Sequence, residues 1–146
     1  MNKLNIGCGK KIKEGYNGLD IVNFGQKFVC NILDFNICEA YDEVYAEHFL
    51  EHFTQEELKK LFRIVWLSLN PNGIFEIIVP SKEKDKAWVL THKTFFTEET
   101  FKAFDNPIFS YEFCGLAYGK TENIWKVKEV RTNSRKDIYC KLIKII

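Results

Sequence analysis

Long apolar runs are missing from this sequence. None approaches the roughly 18 residues that cross a bilayer as a helix, and the start, Met1-Asn2-Lys3-Leu4, lacks the character of a secretory signal. The expectation is a cytoplasmic protein without membrane contact. Proline and glycine are scarce too, 3 and 8 among 146 residues, which excludes collagen and low-complexity disorder. The five cysteines (Cys8, Cys30, Cys38, Cys114, Cys140) are odd in number and form no CxxC pair. They read as reduced thiols packed as small hydrophobes, and no Cys/His group has ligand spacing, so no metal site is expected. An excess of one charge is also missing: 21 basic side chains face 20 acidic ones.

What is present describes one ordinary domain, 1–146, with 46% hydrophobic and 28% charged residues. Thirteen Phe, 6 Tyr and 3 Trp promise an aromatic core or aromatic pocket walls. The near-neutral total hides an uneven distribution, because residues 120–146 carry 8 basic and 3 acidic side chains. A basic end can meet nucleic acid through Lys126, Lys128, Arg131, Arg135 and Lys136. The simpler reading, preferred here, is that these cations line the wet face and guard the edge of terminal strands.

Periodicity orders the chain. Lys3-Leu4-Asn5-Ile6 is a short strand running into Gly7-Cys8-Gly9, and residues 17–21, 27–30 and 43–46 give three more strand candidates. Thr54-Gln55-Glu56-Glu57 is a capping box, and Leu58, Leu61, Phe62, Val65 and Leu69 then form one helical stripe. Residues 70–73 (Asn-Pro-Asn-Gly) end it, and Ile74-Phe75-Glu76-Ile77-Ile78-Val79 reads as a central strand. A second, short helix opens at Thr97. Alternation returns around Trp125–Val130 and Ile138–Leu142, separated by a loop, as an antiparallel hairpin. Strands interleaved with helices and closed by a hairpin argue for an α/β fold, three-layered or thinned.

Two features carry chemistry. A glycine pair at the end of the first strand lets a ligand approach the backbone, and an acid ending the second can hold ribose hydroxyls. These are Gly7, Gly9 and Asp20. The dinucleotide fingerprint is a poor match: its third glycine is absent, and Asp20 arrives too early.

The ordered series is more telling. Leu4-Asn5-Ile6-Gly7-Cys8-Gly9, then Gly15 to Asp20, then His48-Phe49-Leu50-Glu51-His52, then the Asn-Pro-Asn-Gly turn before a strand ending in Val79-Pro80, resembles the class I S-adenosylmethionine-dependent methyltransferases. The likeness is to a compact branch with an "LNxGCG … GxxxxD" start, an "HxLEH" segment and an "HKxFFT" segment, here His92-Lys93-Thr94-Phe95-Phe96-Thr97. It covers roughly residues 4–105. The resemblance implies a Rossmann-like, mostly parallel sheet with a C-terminal antiparallel hairpin, and S-adenosylmethionine as cofactor with S-adenosylhomocysteine as product. Residue by residue, it implies that Gly7, Cys8 and Gly9 lie under the methionine part, that Asp20 takes the ribose, and that Asn31 and Ile32 flank the adenine. Glu47 and His48 would face the sulfonium, while Leu50-Glu51-His52 buttresses the next helix.

The links joining the first three strands are about ten residues and fewer, at or below the minimum for a helical crossover, so the sheet is expected to be trimmed. Methyl transfer needs mainly positioning; for a hydroxyl acceptor a general base helps, and His92 is the first candidate and His48 the second. Each could instead be a structural histidine, as His52 is expected to be. Cys8 as nucleophile is set aside because no paired histidine is visible. Phe95, Phe96, Phe101 and Phe104 read as core; Phe109, Tyr111, Phe113 and Tyr118 could line a pocket or meet a second subunit. The expected reaction is transfer to an O or N of a small molecule or glycan, with a homo-oligomer able to complete the pocket. Two other classes stay open: an enzyme that cleaves the cofactor or uses its decarboxylated relative, and a non-catalytic binding module.

Overall fold

A computed structural model describes residues 1–114 and 124–145. The chain forms strands β1 (Lys3–Ile6), β2 (Asn17–Asp20), β3 (Phe28–Val29), β4 (Tyr41–Glu47), β5 (Leu69–Pro80), β6 (Trp125–Thr132) and β7 (Asp137–Lys144). Its helices are α1 (Gln55–Ser68), α2 (Glu98–Lys102) and α3 (Pro107–Cys114). The seven strands make one sheet in the order β3-β2-β1-β4-β5-β7-β6, with β7 antiparallel to both neighbours and the pairs from β3 to β5 parallel. The terminal hairpin and the mostly parallel sheet agree with the sequence reading.

Residues 7–16 and 21–27 join β1 to β2 and β2 to β3 without a helix. Parallel crossovers this short are feasible because the strands they return past are short. A four-residue strand spans about 13 Å, and ten residues of extended chain reach roughly 33 Å. The hydrogen bond from Gln26 Nε2 to Val22 O (2.8 Å) pins the tighter second link.

Losing those helices changes what the sheet's two faces must be. Leu4, Val44, Phe75 and Leu142 lie in one cross-strand row, and Ile6, Ala46, Ile77 and Cys140 in the next. All eight are at most 1% exposed. Onto this face packs α1, whose Phe62 meets Phe75, Trp125, Phe104 and Phe113 with ring centroids 4.8–6.4 Å apart. The alternate positions carry Glu43, Tyr45, Glu76 and Tyr139. Their partners are each other and the 7–16 loop: Tyr16 Oη donates to Glu43 (2.6 Å), Tyr139 Oη donates to Glu76 (3.0 Å), and Lys13 lies 3.8 Å over the Tyr45 ring. The fold is therefore thinned toward two layers, with a polar face where a third layer would sit.

The capping box forms as expected: Thr54 Oγ1 accepts from the Glu57 amide (3.2 Å) and Glu57 Oε1 from the Thr54 amide (2.9 Å). Residues 70–73 do not stop at a turn but bulge within β5, where the register with β4 jumps from Tyr41↔Leu69 to Glu43↔Ile74. Lys126, Lys128 and Arg131 lie on β6, the sheet's edge, as the simpler reading of the basic end expects.

Candidate functional site

Because β1, β2, β3 and β4 run parallel, their carboxyl ends share one edge, where open α/β sheets bind ligands. The β1 turn holds Gly7 at φ +62° and Gly9 at φ +57°, a region that non-glycine residues enter only at a cost of about 1–2 kcal/mol. A Cβ on Gly7 would run into the Phe49 ring, whereas one on Gly9 would meet nothing within 4 Å among the described residues. The Gly9 amide donates to Asp20 Oδ2 (2.9 Å), and the Val22 amide donates to Oδ1 (3.0 Å). Asp20 thus ties the β1 turn to the end of β2, and each oxygen keeps a lone pair for a further donor.

A crevice of ≈ 450 Å³ opens beside this turn, lined by Gly7, Cys8, Lys11, Lys13, Glu47 and His48 over Asn5 and Tyr45. That size suits a small ligand. Cys8 is buried, and burial followed by the Asp20 charge pushes its thiol up, which disfavours the thiolate and agrees with setting it aside as a nucleophile. Glu47 accepts from Tyr45 Oη (2.9 Å). Asp20 does not line the crevice directly. Asn31 and Ile32 stand apart from it: Asn31 Oδ1 caps the turn Ile32–Asp34 by accepting from the Leu33 amide (3.0 Å), and Ile32, 2% exposed, belongs to the core.

A second cavity, ≈ 440 Å³, shares His48 with the first and is lined by His48, Glu51, His52, Lys84, His92 and their neighbours. His48 lines both spaces. It follows β4 in a left-handed conformation (φ +51°), held by donation from its amide to the Ile78 carbonyl (2.8 Å). The segment carrying His92 is stapled to the turn after β4, since the Lys93 and Thr94 amides donate to the Glu51 carbonyl (2.7 and 3.3 Å). Thr94 Oγ1 donates to the Phe53 carbonyl (2.6 Å). The backbone of Glu51 thus anchors residues 93 and 94, while its side chain belongs to the cavity.

The electrostatics of this cavity follow from burial. Glu51 is 1% exposed, one oxygen lies 3.8 Å from His48 Nδ1, and the other has no hydrogen-bond partner among the described residues. Burial pushes its carboxyl up to about 7, opposed by its own amide and aided by Asp137. Burial and then His92 push His52 below its ordinary value, partly offset by the Thr91 and His48 carbonyls. The His52 and His92 rings meet edge to face at 4.8 Å. His92 Nδ1 lies 3.0 Å from the Ala87 carbonyl, a contact that places the ring proton on Nδ1 and leaves Nε2 free.

Reading the sequence missed Lys11, Lys13 and Tyr45 at the crevice, and it set His52 apart from the chemistry although the residue lines the second cavity. Phe96, Phe101 and Phe104 are core, at most 3% exposed, but Phe95 is 41% exposed and stacks on Trp88 at 4.1 Å. Phe109 and Phe113 join the Phe104 cluster, with centroids 5.4 and 5.6 Å from that ring. Tyr118 lies outside the described residues.

Strand order with a single reversed strand, and ligand space at the ends of β1 and β4, decide the architecture. The chain has the class I methyltransferase fold. It superposes on 1,6-didemethyltoxoflavin-N1-methyltransferase from Burkholderia thailandensis, solved with 1,6-didemethyltoxoflavin and S-adenosylhomocysteine, at TM-score 0.70 and 13% identity, covering 99% of this chain and 71% of that one. A SAM-dependent methyltransferase from Methanosarcina mazei gives TM-score 0.69 at 16% identity over 99% and 92%. The N-methyltransferase NodS from Bradyrhizobium japonicum, in complex with S-adenosylhomocysteine, gives 0.66 at 12% over 98% and 77%. No family model and no curated protein matches the sequence. Within the methyltransferase fold, the helices lacking between β1, β2 and β3 leave the edge of the sheet less covered than a three-layered version would.

Proposed function

We propose that this chain binds S-adenosylmethionine along the carboxyl edge of β1, β2 and β4 and transfers its methyl group to an oxygen or nitrogen of a small molecule or glycan. The observation that carries the reading is that His48 lines two adjoining cavities, one beside the glycine turn and one rich in histidine. A donor and an acceptor held in these two spaces would meet at that residue.

The residues present fit the cofactor. Gly9 leaves open space beside a half-buried backbone, and Asp20 ends β2 with lone pairs to spare for ribose hydroxyls. Lys11 brings positive charge that suits the carboxylate of the methionine part, while Lys13 is already paired with Glu76 at 3.7 Å. Glu47 and His48 stand at the sulfonium end in this reading, and Asn31 and Ile32 would reach the adenine only if the link after β2 adjusts. When bound, S-adenosylmethionine supplies an electrophilic methyl carbon on a positively charged sulfur that leaves as a neutral thioether.

The chain's own task is orientation and proton management. Fixed placement of the acceptor lone pair contributes most of the rate, and the polar second cavity provides the walls for it. His92 Nε2, free because Nδ1 is committed to Ala87, accepts the proton of a hydroxyl acceptor; His48 is the alternative base.

The test is incubation with methyl-labelled S-adenosylmethionine and a panel of sugars, phenols and amines, following both label and S-adenosylhomocysteine. Methyl transfer predicts label in an acceptor, with turnover lowered at least about 100-fold in His92→Ala. Acceptor-independent breakdown of the cofactor, or binding without turnover, overturns the proposal in favour of a cleaving enzyme or a binding module.

A further inference from the structure

Glu51, His52 and His92 have a relation that methyl transfer does not require. One donor atom from each lies within 4.8 Å of the other two. The carboxylate is buried, and its Oε2 is one of two buried side-chain polar atoms without a hydrogen-bond partner among the described residues. An orphaned buried oxygen costs about 1–3 kcal/mol unless something outside the protein satisfies it. Placed at a cavity beside two imidazoles, it has the geometry of a ligand.

We infer that Glu51, His52 and His92 bind a divalent transition-metal ion in the cavity beside His48. Two imidazoles and one carboxylate are borderline donors that suit zinc, cobalt or iron in the divalent state. Three protein ligands leave at least one position open, as in catalytic rather than structural sites. The outer shell is already arranged. His92 commits Nδ1 to the Ala87 carbonyl (3.0 Å), the support that fixes the tautomer and orientation of a ligating imidazole and presents Nε2. His48 Nδ1 lies 3.8 Å from Glu51 Oε1, beside the second carboxylate oxygen. The hydrogen bonds from the Lys93 and Thr94 amides to the Glu51 carbonyl hold the two halves of the site together, although they stand far apart in the chain. Bond lengths near 2.0–2.2 Å put the donors of one ion closer together than the widest separation here, 4.8 Å, so loading draws the three side chains together.

Lys84 and Lys86 line the same cavity; Lys84 is neutralised by Asp137 at 2.7 Å, and Lys86 is exposed. Cation binding does not depend on the methyl-transfer reading, but a loaded His92 cannot also be the general base, and that role then passes to His48.

The experiment uses the full chain, stripped with chelator and titrated with Zn²⁺ by calorimetry, then with Co²⁺ by visible absorption. The inference predicts one ion per chain, Co²⁺ bands of a nitrogen and oxygen site, and at least tenfold weaker binding in Glu51→Gln, His52→Ala and His92→Ala. Glu51→Gln keeps the shape and removes the carboxylate, so it reports on the ligand even if a histidine variant folds poorly. No binding, affinity unchanged in Glu51→Gln, or a cysteine-to-cobalt charge-transfer band each overturns the inference. Because the readout is metal binding, a failure of methyl transfer leaves the outcome of this titration unchanged.

Discussion

Placing an alanine at Gly7 or at Gly9 separates a packing constraint from a binding one. Both positions have positive φ, so either substitution carries the left-handed penalty of about 1–2 kcal/mol. At Gly7 the new methyl also meets the Phe49 ring, and since Phe49 packs on Phe53 (4.9 Å) the ring cannot simply swing away. Overpacking adds about 1–3 kcal/mol. The sum, about 2–5 kcal/mol, lowers the melting temperature by roughly 6–15 °C at roughly 3 °C per kcal/mol for a domain this size. At Gly9 only the backbone cost applies, and the loss is roughly 3–6 °C. Affinity for S-adenosylhomocysteine divides them differently: under the proposed cofactor placement the methyl of Gly9→Ala would occupy ligand space, and binding should weaken at least about tenfold. Thermal melts with and without S-adenosylhomocysteine measure both quantities. If Gly9→Ala destabilises as much as Gly7→Ala, the packing around the turn differs from that described. If it binds as tightly as the unaltered chain, the space above Gly9 is not the cofactor's.

Other consequences are accessible to simple assays. Asp42 accepts from the Asn70 side chain (3.0 Å) and the Asn2 amide (2.8 Å), which hold its carboxyl below the ordinary range. Its contribution is therefore present above the unfolded-state value and lost as pH falls through the lowered folded-state value; Asp42→Ala should melt lower at neutral pH, with the gap closing in acid, and a pH-independent gap would contradict the assignment. Thiol titration at pH 8 should show Cys38, the exposed cysteine, reacting first, with the fast phase abolished by Cys38→Ser. Burial pushes Cys114 up to about 12 and Cys140 up as well, so these two should react only on unfolding, and fast modification of either would refute the packing. Phe62→Ala removes the ring that joins β5, β6 and α3 and should cost about 3–5 kcal/mol by denaturant unfolding; a loss below about 1 kcal/mol would show that the cluster is not the core.

What the sequence disclosed depended on distance along the chain. The glycine turn, the capping box at Thr54 and the hairpin are encoded within a few residues each, and all form where their local chemistry demands. Helix α3 was hidden because its residues are mostly apolar and carry no clear stripe at 3.6-residue spacing. The polar face was hidden by β5: Glu76 interrupts an otherwise apolar run that reads as a strand covered on both sides, and only its register beside Tyr45 and opposite Lys141 reveals the uncovered face. The second cavity was least legible. Glu51 and His52 stand far before His92 with no recurring spacing, and only the stapling of the Glu51 carbonyl to Lys93 and Thr94 brings them together. Lys13 escaped notice for a related reason, since a loop in place of a helix lays its side chain across the sheet.

The most direct test of cofactor binding is calorimetric titration of S-adenosylhomocysteine into the unaltered chain and into Asp20→Ala. Hydrogen bonds to a charged group contribute about 1.5–3 kcal/mol, so the expected result is one site per chain and affinity lowered roughly 10- to 100-fold by the substitution. Absence of binding at millimolar ligand, or equal affinity in the two proteins, would contradict the claim that this edge of the sheet holds the cofactor.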